Sequence, residues 1–475
     1  MRAGSPPEMV TAYVAVRPGG VSSVIIASGY CQQLLSIIFT GSATVDLNIS
    51  DPARKNRLFL FFLGAYINQV VTNEPASANS STPESPSLTP FILLCLIGFL
   101  SFFSSYLRMP VLPLYASGFG ADTAQVGMIT GAFLLTAGLL SIPAGLVTDR
   151  FGRRGPIVAG IVAIPVSSLL IALCRQPLQM AAVYVLFGAG LAAFAPAMLS
   201  LVADILPPAK LGQGYGWYTT AVYTAMTFGP ASGGFLARAV GQREVFLISG
   251  SLSLGVALLA LLILPAGRSR HRAALTDILA GSRDLFRNRS LIACLVATVG
   301  SCIGFGVFIT FLPLCATARG ADPGQVGIVF AAQAGTNVLC RVPIGLIADR
   351  FAKERLVAAG LLLLAPALVA IGRATTIVTM AASAVGIGIG MALTYTAIGA
   401  IIVEQVPARQ RGLAMGLYNS CIYLGMMAGS TGLGLALRRV SYPTGFAVAG
   451  GITLAALLIF SFGGSYSRGE RPPAR

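Results

Sequence analysis

The chain has 475 residues, of which 55% are hydrophobic and only 10% are charged, and its mean hydropathy is +0.80. Soluble domains carry about 25% charged residues, so this composition excludes a soluble globular protein and indicates a chain that crosses a membrane several times. The net charge of +16 comes from Lys and Arg in short segments between apolar runs. Because these residues form no single basic face, they do not indicate a nucleic-acid partner.

Residues 1–87 precede the strongly apolar part of the chain. They end in a stretch rich in Ser, Pro and Asn, from Asn73 to Ser87, which is typical of a poorly ordered linker. The uncharged run from Pro18 to Val45 is long enough for a membrane helix, but Ser, Gln, Gly and Thr recur throughout it. We therefore expect a poorly ordered N-terminal extension, with an additional membrane helix as the alternative.

Twelve apolar runs follow, most of about 18 to 25 residues, which is the length an α-helix needs to cross ~30 Å of hydrocarbon. Such runs are too long for the strands of a membrane barrel, and lipid offers no partner to unpaired backbone groups. The sequence therefore predicts an all-α membrane protein with twelve spans. The predicted spans cover residues 90–117, 125–147, 156–174, 179–203, 214–236, 245–266, 291–315, 325–348, 356–372, 377–402, 414–436 and 444–463.

Lys and Arg are distributed unequally between the two sets of loops. The loops after the even-numbered spans, together with the C-terminal tail, hold 18 of them, whereas the opposite loops hold seven. By the positive-inside rule, both chain ends are expected in the cytoplasm, with the protein in a cell membrane such as a bacterial inner membrane. The seven opposite residues are Arg175, Arg238, Arg243, Arg319, Arg373, Arg438 and Arg439.

The chain repeats itself at a constant offset of 200 residues. The segment LPLYASGFGADTAQVG, which begins at Leu112, is identical at ten of 16 positions to LPLCATARGADPGQVG, which begins at Leu312. Transporters with duplicated halves bind their substrate between the halves, near the middle of the bilayer. The sequence thus predicts six-helix halves at residues 88–266 and 291–463, a cytoplasmic central loop at 267–290 and a cytoplasmic tail at 464–475.

A charged turn follows span 2, with the sequence GLVTDRFGRR, and a degenerate copy, GLIADRFAKE, follows span 8. The first turn resembles the signature of the major facilitator superfamily, and the resemblance covers roughly residues 88–462. It implies twelve spans in two pseudo-symmetric halves, transport by alternating access and no cofactor. The positions that carry it are Gly145, Asp149, Arg150, Gly152, Arg153 and Arg154 in the first copy and Gly345, Asp349 and Arg350 in the second.

The resemblance also implies a gating role for Asp149. In the family, the equivalent carboxylate meets the cytoplasmic start of span 11 in the outward-facing state, where it faces the positive end of a helix dipole. The mirrored contact would join Asp349 to the start of span 5. The alternative is that these charges only set the orientation of the chain in the membrane.

Two acidic residues, Asp204 and Glu404, end spans 4 and 10 at matching positions of the repeat. We expect them to form gate salt bridges with loop arginines such as Arg153 or Arg350. Because exposed ion pairs contribute only about 0 to 1 kcal/mol, their effect would be to favour one conformation over another. The alternative is that both residues are solvated helix ends.

Span 5 contains FGPASGGF, which resembles the Gly-Pro-x-x-Gly-Gly motif of the family's drug and metabolite exporters. The alternative is that small residues at this spacing only let two helices approach each other. An exporter-type motif predicts that Gly233→Ala is tolerated and that Gly233→Leu is not. The motif positions are Gly229, Pro230, Gly233 and Gly234.

Polar residues inside the spans are candidates for the substrate cavity. In span 8, Gln333, Asn337 and Arg341 lie four residues apart and hence on one helix face. Arg108 in span 1 is expected to face a cavity, or else to extend to the headgroups. Tyr184 stands where exporters of this branch carry an Arg, and no Asp or Glu lies deep in a span, so the proton carrier expected of an exporter is not visible.

These observations predict a secondary active transporter that exports a small organic solute or drug by alternating access, with protons as the candidate coupling ion. The alternative is uptake or facilitated transport of an organic anion, which the intramembrane arginines favour. One His, no H-E-x-x-H motif and no acid within the spans argue against an enzyme or a metal site. We expect a monomer in the lipid bilayer that binds a small molecule and no nucleic acid.

Overall fold

The structure is a computed structural model that describes residues 12–17, 20–26, 88–206, 211–263, 287–348, 351–406 and 411–465. Within these ranges the chain forms one β-hairpin and thirteen α-helices. The helices are α1 (Leu88–Leu107), α2 (Val111–Gly118), α3 (Thr123–Phe151), α4 (Arg154–Ile171), α5 (Pro177–Ile205), α6 (Leu211–Val240), α7 (Gln242–Ile263), α8 (Arg289–Thr317), α9 (Pro323–Ala348), α10 (Lys353–Arg373), α11 (Ile377–Gln405), α12 (Arg411–Ala436) and α13 (Tyr442–Ser465).

The first predicted span is two helices and not one. Helix α1 ends at Leu107 and α2 begins at Val111, so α1 and α2 together form span 1 and helices α3 to α13 form spans 2 to 12. Pro110 lies in the break and has no N–H with which to continue the helical ladder. The equivalent helix α8 runs unbroken from Arg289 to Thr317, and it carries Thr310 at the matching position. Apart from this break, the prediction of twelve spans and an all-α membrane fold is confirmed.

The N-terminal segment contains an antiparallel hairpin of β1 (Ala12–Arg17) and β2 (Gly20–Ile26). Residues 20–26, within the run from Pro18 to Val45, are a strand and not a helix. The expectation that residues 1–87 form a poorly ordered extension stays a prediction. β-branched residues recur in both strands, as is usual for a hairpin. The rest of residues 1–87, the central loop up to residue 286 and the tail after residue 465 lie outside the described residues.

The repeat in the sequence reappears as repeated packing between helices. Gly160 of α4 faces Gly190 of α5 so closely that a Cβ would lie 2.5 Å from the Gly190 carbonyl oxygen. At the matching positions of the second half, a Cβ on Gly360 of α10 would lie 2.7 Å from the Gly390 oxygen of α11. The same close approach, at an offset of 200 residues, shows that both halves use one helix arrangement.

Nine described helical segments are long and apolar enough to cross a membrane by length and composition alone. The three long helices that fall short of this measure are α6, α9 and α12. They hold polar residues such as Thr219, Asn337 and Asn419, and all three border the space between the halves. Their lower hydropathy is expected because a helix that faces a polar cavity needs less apolar surface than one that faces lipid.

Candidate functional site

A cavity of about 1200 Å³ lies between the two halves. Its walls come from α1, α3, α5 and α6 of the first half and from α8, α9, α11 and α12 of the second. The lining continues along α3 to Gly145 and along α12 to Leu413, near the helix ends that carry the charged turns. We call this end of the bundle, which contains Gly152 and Ala352, the motif end. The opposite end, which contains Gly120 and Gly320, is the distal end.

The cavity wall is rich in aromatic and methionine side chains. Tyr hydroxyls add hydrogen-bonding groups to an otherwise apolar surface, a combination that suits ligands with aromatic or aliphatic bodies and a few polar atoms. Arg341 is the one charged residue in the described lining. The aromatic and methionine residues are Phe102, Tyr106, Phe133, Tyr218, Tyr223, Phe305, Phe330, Tyr395 and Tyr423, with Met109, Met226, Met391, Met415 and Met426.

The three polar residues of α9 all border this cavity. Asn337 is anchored to the neighbouring helix α11, because its Nδ2 donates to the Gly388 carbonyl oxygen at 3.2 Å. Gln333 contacts Met391 of α11, with 3.5 Å between Nε2 and Sδ. The Asn337 amide in turn accepts a hydrogen bond from Nε of Arg341 at 3.1 Å. Asn337 therefore links Arg341 to α11 and orients it, whereas Gln333 makes a separate contact with the same helix.

Arg341 also spans the boundary between the halves. Its guanidinium carbon lies 3.8 Å from the ring centroid of Tyr223, which belongs to α6 of the first half. A cation over an aromatic ring is attracted by the ring's quadrupole, by about 0.5 to 2 kcal/mol. The structure shows no acidic partner for Arg341 in the described residues, so its charge is available to the cavity.

Arg108 and Tyr184 do not border the central cavity. They line a smaller pocket of about 30 Å³ next to Phe187, which is formed by the first half except for Ile309 of α8. Arg108 is 1% exposed, so the expectation that it extends to the headgroups is wrong. The break between α1 and α2 turns its side chain inward, where Nη1 donates to Ser167 Oγ at 3.1 Å. Tyr184 faces Phe133 with its ring edge, at 6.3 Å between centroids.

At the motif end, Gly152 separates α3 from α4 with a φ of 95°, a conformation that favours glycine. Arg153 follows it and links two helix ends. Its Nε lies 3.1 Å from Oδ2 of Asp204, and its Nη1 donates to the Thr148 carbonyl oxygen at 3.0 Å. The exposed helical residue Arg154 begins α4. The side chains of Asp149 and Arg150 lie outside the described residues.

The second copy of the turn forms the equivalent ion pair, with a lysine in place of the arginine. Lys353 Nζ lies 2.8 Å from Oε1 of Glu404, whereas Asp349 and Arg350 lie outside the described residues. Arg153 and Lys353 occupy the same position of the repeat. In each half, therefore, the basic residue in the turn after the second span pairs with the acidic residue at the end of the fourth span. Each pair lies within one half, so neither joins the two halves in this conformation.

The halves are joined by ion pairs at the distal end, which the sequence analysis missed. Arg438 Nη2 lies 2.5 Å from Oδ2 of Asp122, and Arg238 Nη1 lies 3.6 Å from Oδ2 of Asp322. The 200-residue offset relates Asp122 to Asp322 and Arg238 to Arg438, so one pair is the mirror of the other. The sequence contained a signal for these pairs. Both Asp residues belong to the repeated Gly-Ala-Asp, and both Arg residues lie in the set of loops that carries few Lys and Arg.

Glycines close the distal end beside these ion pairs. A Cβ on Gly127 of α3 would lie 3.2 Å from the Gly434 Cα of α12, and a Cβ on Gly327 of α9 would lie 3.3 Å from the Gly234 Cα of α6. Thr123 Oγ1 also donates across the boundary to the Gly434 carbonyl oxygen at 3.1 Å. The halves therefore meet closely at the distal end, and the cavity extends toward the motif end.

The glycines of the α6 motif all lie at close approaches to other helices. A Cβ on Gly229 would lie 2.7 Å from the Tyr106 Cβ, and one on Gly233 would overlap the Leu107 carbonyl oxygen. Both contacts are with the broken end of α1. Alanine at Gly233 therefore requires α1 and α6 to move apart, which argues against the expectation that Gly233→Ala is tolerated. Pro230 lines the central cavity.

Curated relatives include transporters and resistance proteins. An uncharacterized MFS-type transporter of Methanocaldococcus jannaschii is 25% identical over 352 residues, which cover 73% of this chain and 89% of the relative. The tetracenomycin C resistance and export protein of Streptomyces glaucescens is 25% identical over 374 residues, 66% of this chain and 69% of the relative. The quinolone resistance protein NorA of Staphylococcus aureus is 28% identical over 156 residues, 33% of this chain and 40% of the relative.

Solved structures share the fold at low sequence identity. A bacterial homolog of the human lysosomal transporter Spinster, in an inward-facing and occupied conformation, matches with a TM-score of 0.68, 17% identity and coverage of 83% of this chain and 100% of that one. The nucleoside transporter NupG matches with a TM-score of 0.69 and 13% identity, over 79% and 99% of the two chains. The family model described as Major Facilitator Superfamily matches residues 94–315 and 294–475. The chain therefore belongs to the major facilitator superfamily, a family of membrane transporters and not of enzymes.

Proposed function

We propose that this transporter exports a small, largely apolar organic solute or drug by alternating access across a cell membrane. The observation that carries the proposal is the central cavity, whose wall is rich in aromatic and methionine side chains and holds one charge, that of Arg341. Such walls adapt to differently shaped ligands, because methionine is flexible and aromatic rings have large apolar faces. The name of one relative, a tetracenomycin C resistance and export protein, supports the same direction of transport.

The positive-inside rule supports a cytoplasmic motif end, because the loops at that end carry most of the Lys and Arg. In that orientation the cavity of this conformation faces the cytoplasm, and the distal ion pairs close it to the outside. An exporter would load its substrate in this state. It would then release the substrate after the distal contacts part and the motif end closes.

Uptake or facilitated transport of an organic anion is the second candidate function. It is favoured by Arg341, whose charge has no acidic partner in the described residues and borders the cavity. No Asp or Glu belongs to the described lining, so a proton carrier of the carboxylate type would have to lie elsewhere in the chain. The two candidates differ in the charge of the preferred substrate and in the direction of net flux.

Flux in proteoliposomes tests both candidates. The protein is reconstituted with a known orientation, and uptake and release of neutral, cationic and anionic aromatic solutes are followed with and without an imposed pH gradient. Export that is selective for apolar neutral or cationic solutes supports the first candidate, and anion-selective flux supports the second. Absence of flux for every solute class would contradict both.

A pair of tryptophan variants shows whether the flux uses the central cavity. Ala334→Trp places a large ring in the cavity wall and should abolish flux. Leu262→Trp is the matched control, because Leu262 of α7 is 85% exposed on the outer surface, and it should leave flux unchanged. Equal flux in both variants would show that the solute takes another route.

A further inference from the structure

Arg108 is a buried cation whose hydrogen-bonding groups are only partly used. Its side chain is 1% exposed and makes one hydrogen bond, from Nη1 to Ser167 Oγ. Its Nε and Nη2 have no hydrogen-bond partner among the described residues. The guanidinium carbon also lies 3.8 Å from the Phe187 ring centroid. This contact stabilises the charge but does not use the N–H groups of the guanidinium as hydrogen-bond donors. Two buried donors therefore point to an acceptor that the protein itself does not supply.

No carboxylate of the described residues forms an ion pair with this cation. The acidic residues of the described helices all lie within three residues of a helix end. A buried ion without a counter-charge is strongly unfavourable, which is why such ions are normally paired. Helix packing does not require this cation either, because the repeat mate of Arg108 is Phe308, which is fully buried at the equivalent place in α8.

A pocket of about 30 Å³ lies beside Arg108. That volume holds one or two water-sized groups, so it excludes a whole organic substrate but accommodates a small ion or one carboxylate group. Thr130 and Tyr184 line the pocket and present hydroxyl groups, which donate readily to anions. Tyr106 and Met109 border both this pocket and the central cavity, so a thin wall of side chains separates the two.

We propose that Arg108 and the pocket beside it form an anion-binding site, built by the first half and bordered by Ile309 of α8, that is occupied by a halide-sized ion or by a carboxylate group. The ligand supplies the missing negative charge and accepts hydrogen bonds from Nε and Nη2 of Arg108. The site is distinct from the central cavity, and it does not depend on the direction of transport proposed above. The same chemistry has two sources, free chloride or the carboxylate of a solute that enters from the central cavity.

The test is the thermal stability of the purified wild-type protein in chloride, bromide or gluconate at constant ionic strength. A ligand that binds only the folded state raises the Tm as its concentration rises above its Kd. We expect chloride and bromide to raise the Tm by about 2 °C or more relative to gluconate. Gluconate is the reference because its polyhydroxy chain is too large for the pocket and too polar for the wall of Tyr106 and Met109 beside it. In crystals grown with bromide, an anomalous peak should lie beside Arg108.

Variants assign the effect to this arginine. Arg108→Gln should remove the halide-dependent shift, and Arg108→Lys should reduce it. Arg341→Gln is the matched control, because it removes the other intramembrane arginine and should keep the shift. If Arg108→Gln does not fold, the wild-type titration and the bromide peak still decide the matter.

The source of the anion is decided by a second titration of the wild-type protein. Benzoate that stabilises the protein more than halide, and that competes with bromide for the anomalous peak, identifies a carboxylate from the central cavity. Halide stabilisation without an effect of benzoate identifies a free ion. Equal Tm in chloride, bromide, benzoate and gluconate, with no peak beside Arg108, would overturn the proposal.

Discussion

Among the described residues, Arg341 is held by two neutral groups, the Asn337 amide on its own helix and the Tyr223 ring in the other half. A cation in this setting keeps its charge for a ligand, whereas one paired to a carboxylate would not. Arginine is also suited to the place because its planar guanidinium stacks on an aromatic face, which a lysine ammonium does less well. These contacts make the residue a candidate for substrate recognition at the centre of the molecule.

We therefore predict that Arg341→Gln lowers flux of anionic solutes by about tenfold or more, because a hydrogen bond to a charged group contributes about 1.5 to 3 kcal/mol. Flux of neutral solutes should change little. Arg341→Lys should fall between the wild type and Arg341→Gln. The measurement is flux in proteoliposomes together with the Tm of each purified variant.

Thr227→Val serves as the control for this prediction, because Thr227 borders the same cavity without a charge. It should affect anionic and neutral solutes alike. A lower Tm for Arg341→Gln with unchanged anion flux would assign Arg341 a purely structural role.

At the scale of single elements, the break between α1 and α2 and the glycines of α6 depend on each other. The Leu107 carbonyl at the end of α1 faces Gly233, and Tyr106 faces Gly229. A helix that carried side chains at these positions would be pushed away from α1, and the break would lose its packing partner. The α6 motif thus has a packing role in this chain, whatever its role in transport.

We predict that Gly233→Ala lowers the free energy of unfolding by about 1 to 3 kcal/mol, the usual cost of overpacking a well-packed contact. The added methyl group overlaps the Leu107 carbonyl oxygen, so the helices must move apart. Gly255→Ala of α7 is the control, since a Cβ there meets open space and alanine favours helix. Thermal unfolding of the two variants in detergent is the measurement, and equal Tm values would show that α1 and α6 separate at no cost.

At the scale of the whole molecule, two mirrored ion pairs and two mirrored glycine contacts close the distal end. Asp122 and Asp322 are held in place locally, because each caps the helix that follows it by accepting the backbone N–H of Gln125 or Gln325. The arginines come from the other half. Opening the distal end would therefore separate the arginines from the carboxylates but leave the caps intact.

We predict that removing both arginine partners, in Arg238→Gln with Arg438→Gln, shifts the population toward molecules that are open at the distal end. Exposed ion pairs are each weak, so the shift should be a few-fold and not complete. The distance between dyes on non-natural residues at Phe119 and Val440, one in each half near this end, should lengthen on average.

Exchanging the charges of one pair, Asp122→Arg with Arg438→Asp, provides the control, because it restores the attraction. It should return the distance distribution toward that of the wild type. An unchanged distribution in the double glutamine variant would mean that the glycine contacts alone hold this end closed.

The pH dependence of the same closure follows from Asp122. The backbone N–H of Gln125, and after it the Arg438 side chain, lower the pKa of this carboxyl below its ordinary value. A carboxyl with a lowered pKa keeps its stabilising contacts above its ordinary pKa and loses them as pH falls through the lowered value. The dye distance should therefore stay constant from pH 8 to pH 5, and lengthening within that window would assign the closure to another group.

The motif end shows the opposite arrangement of glycines. A Cβ on Gly145 of α3, Gly345 of α9 or Gly216 of α6 would meet nothing within 4 Å. Their counterparts at the distal end touch across the boundary between the halves. We infer that these motif-end glycines are spaced for the closed state, in which the halves approach each other at this end.

Gly145→Leu should therefore fold normally but transport poorly, because the side chain fits the open state and obstructs the closed one. Its Tm should equal or exceed that of the wild type, since leucine also favours helix over glycine. Gly155→Leu of α4 is the control, as a Cβ there also meets open space and Gly155 does not border the cavity. Full flux in Gly145→Leu would show that the halves do not close at this residue.

Local properties of the sequence were sufficient for the helices, the duplication and the family. Span length and hydropathy depend on the bilayer thickness, and a constant offset of 200 residues needs no coordinates to detect. The i, i+4, i+8 spacing of Gln333, Asn337 and Arg341 likewise places them on one helix face by geometry alone, and all three border the cavity. The gating role of Asp149 and the transport direction stay predictions.

Tertiary structure decided which of the polar residues meet, because contacts between distant segments depend on how helices pack and not on spacing within one helix. Arg108 was expected at a cavity or the headgroups and instead turns into the first half beside a small pocket. Asp204 pairs within its own half, whereas Asp122, unnoticed in the sequence, pairs across the two. In the sequence, Gly233 could be recognised only as a small residue. In the structure, the Leu107 carbonyl occupies the place where a side chain of residue 233 would lie. This contact could not be predicted because Leu107 belongs to a helix more than a hundred residues earlier in the chain.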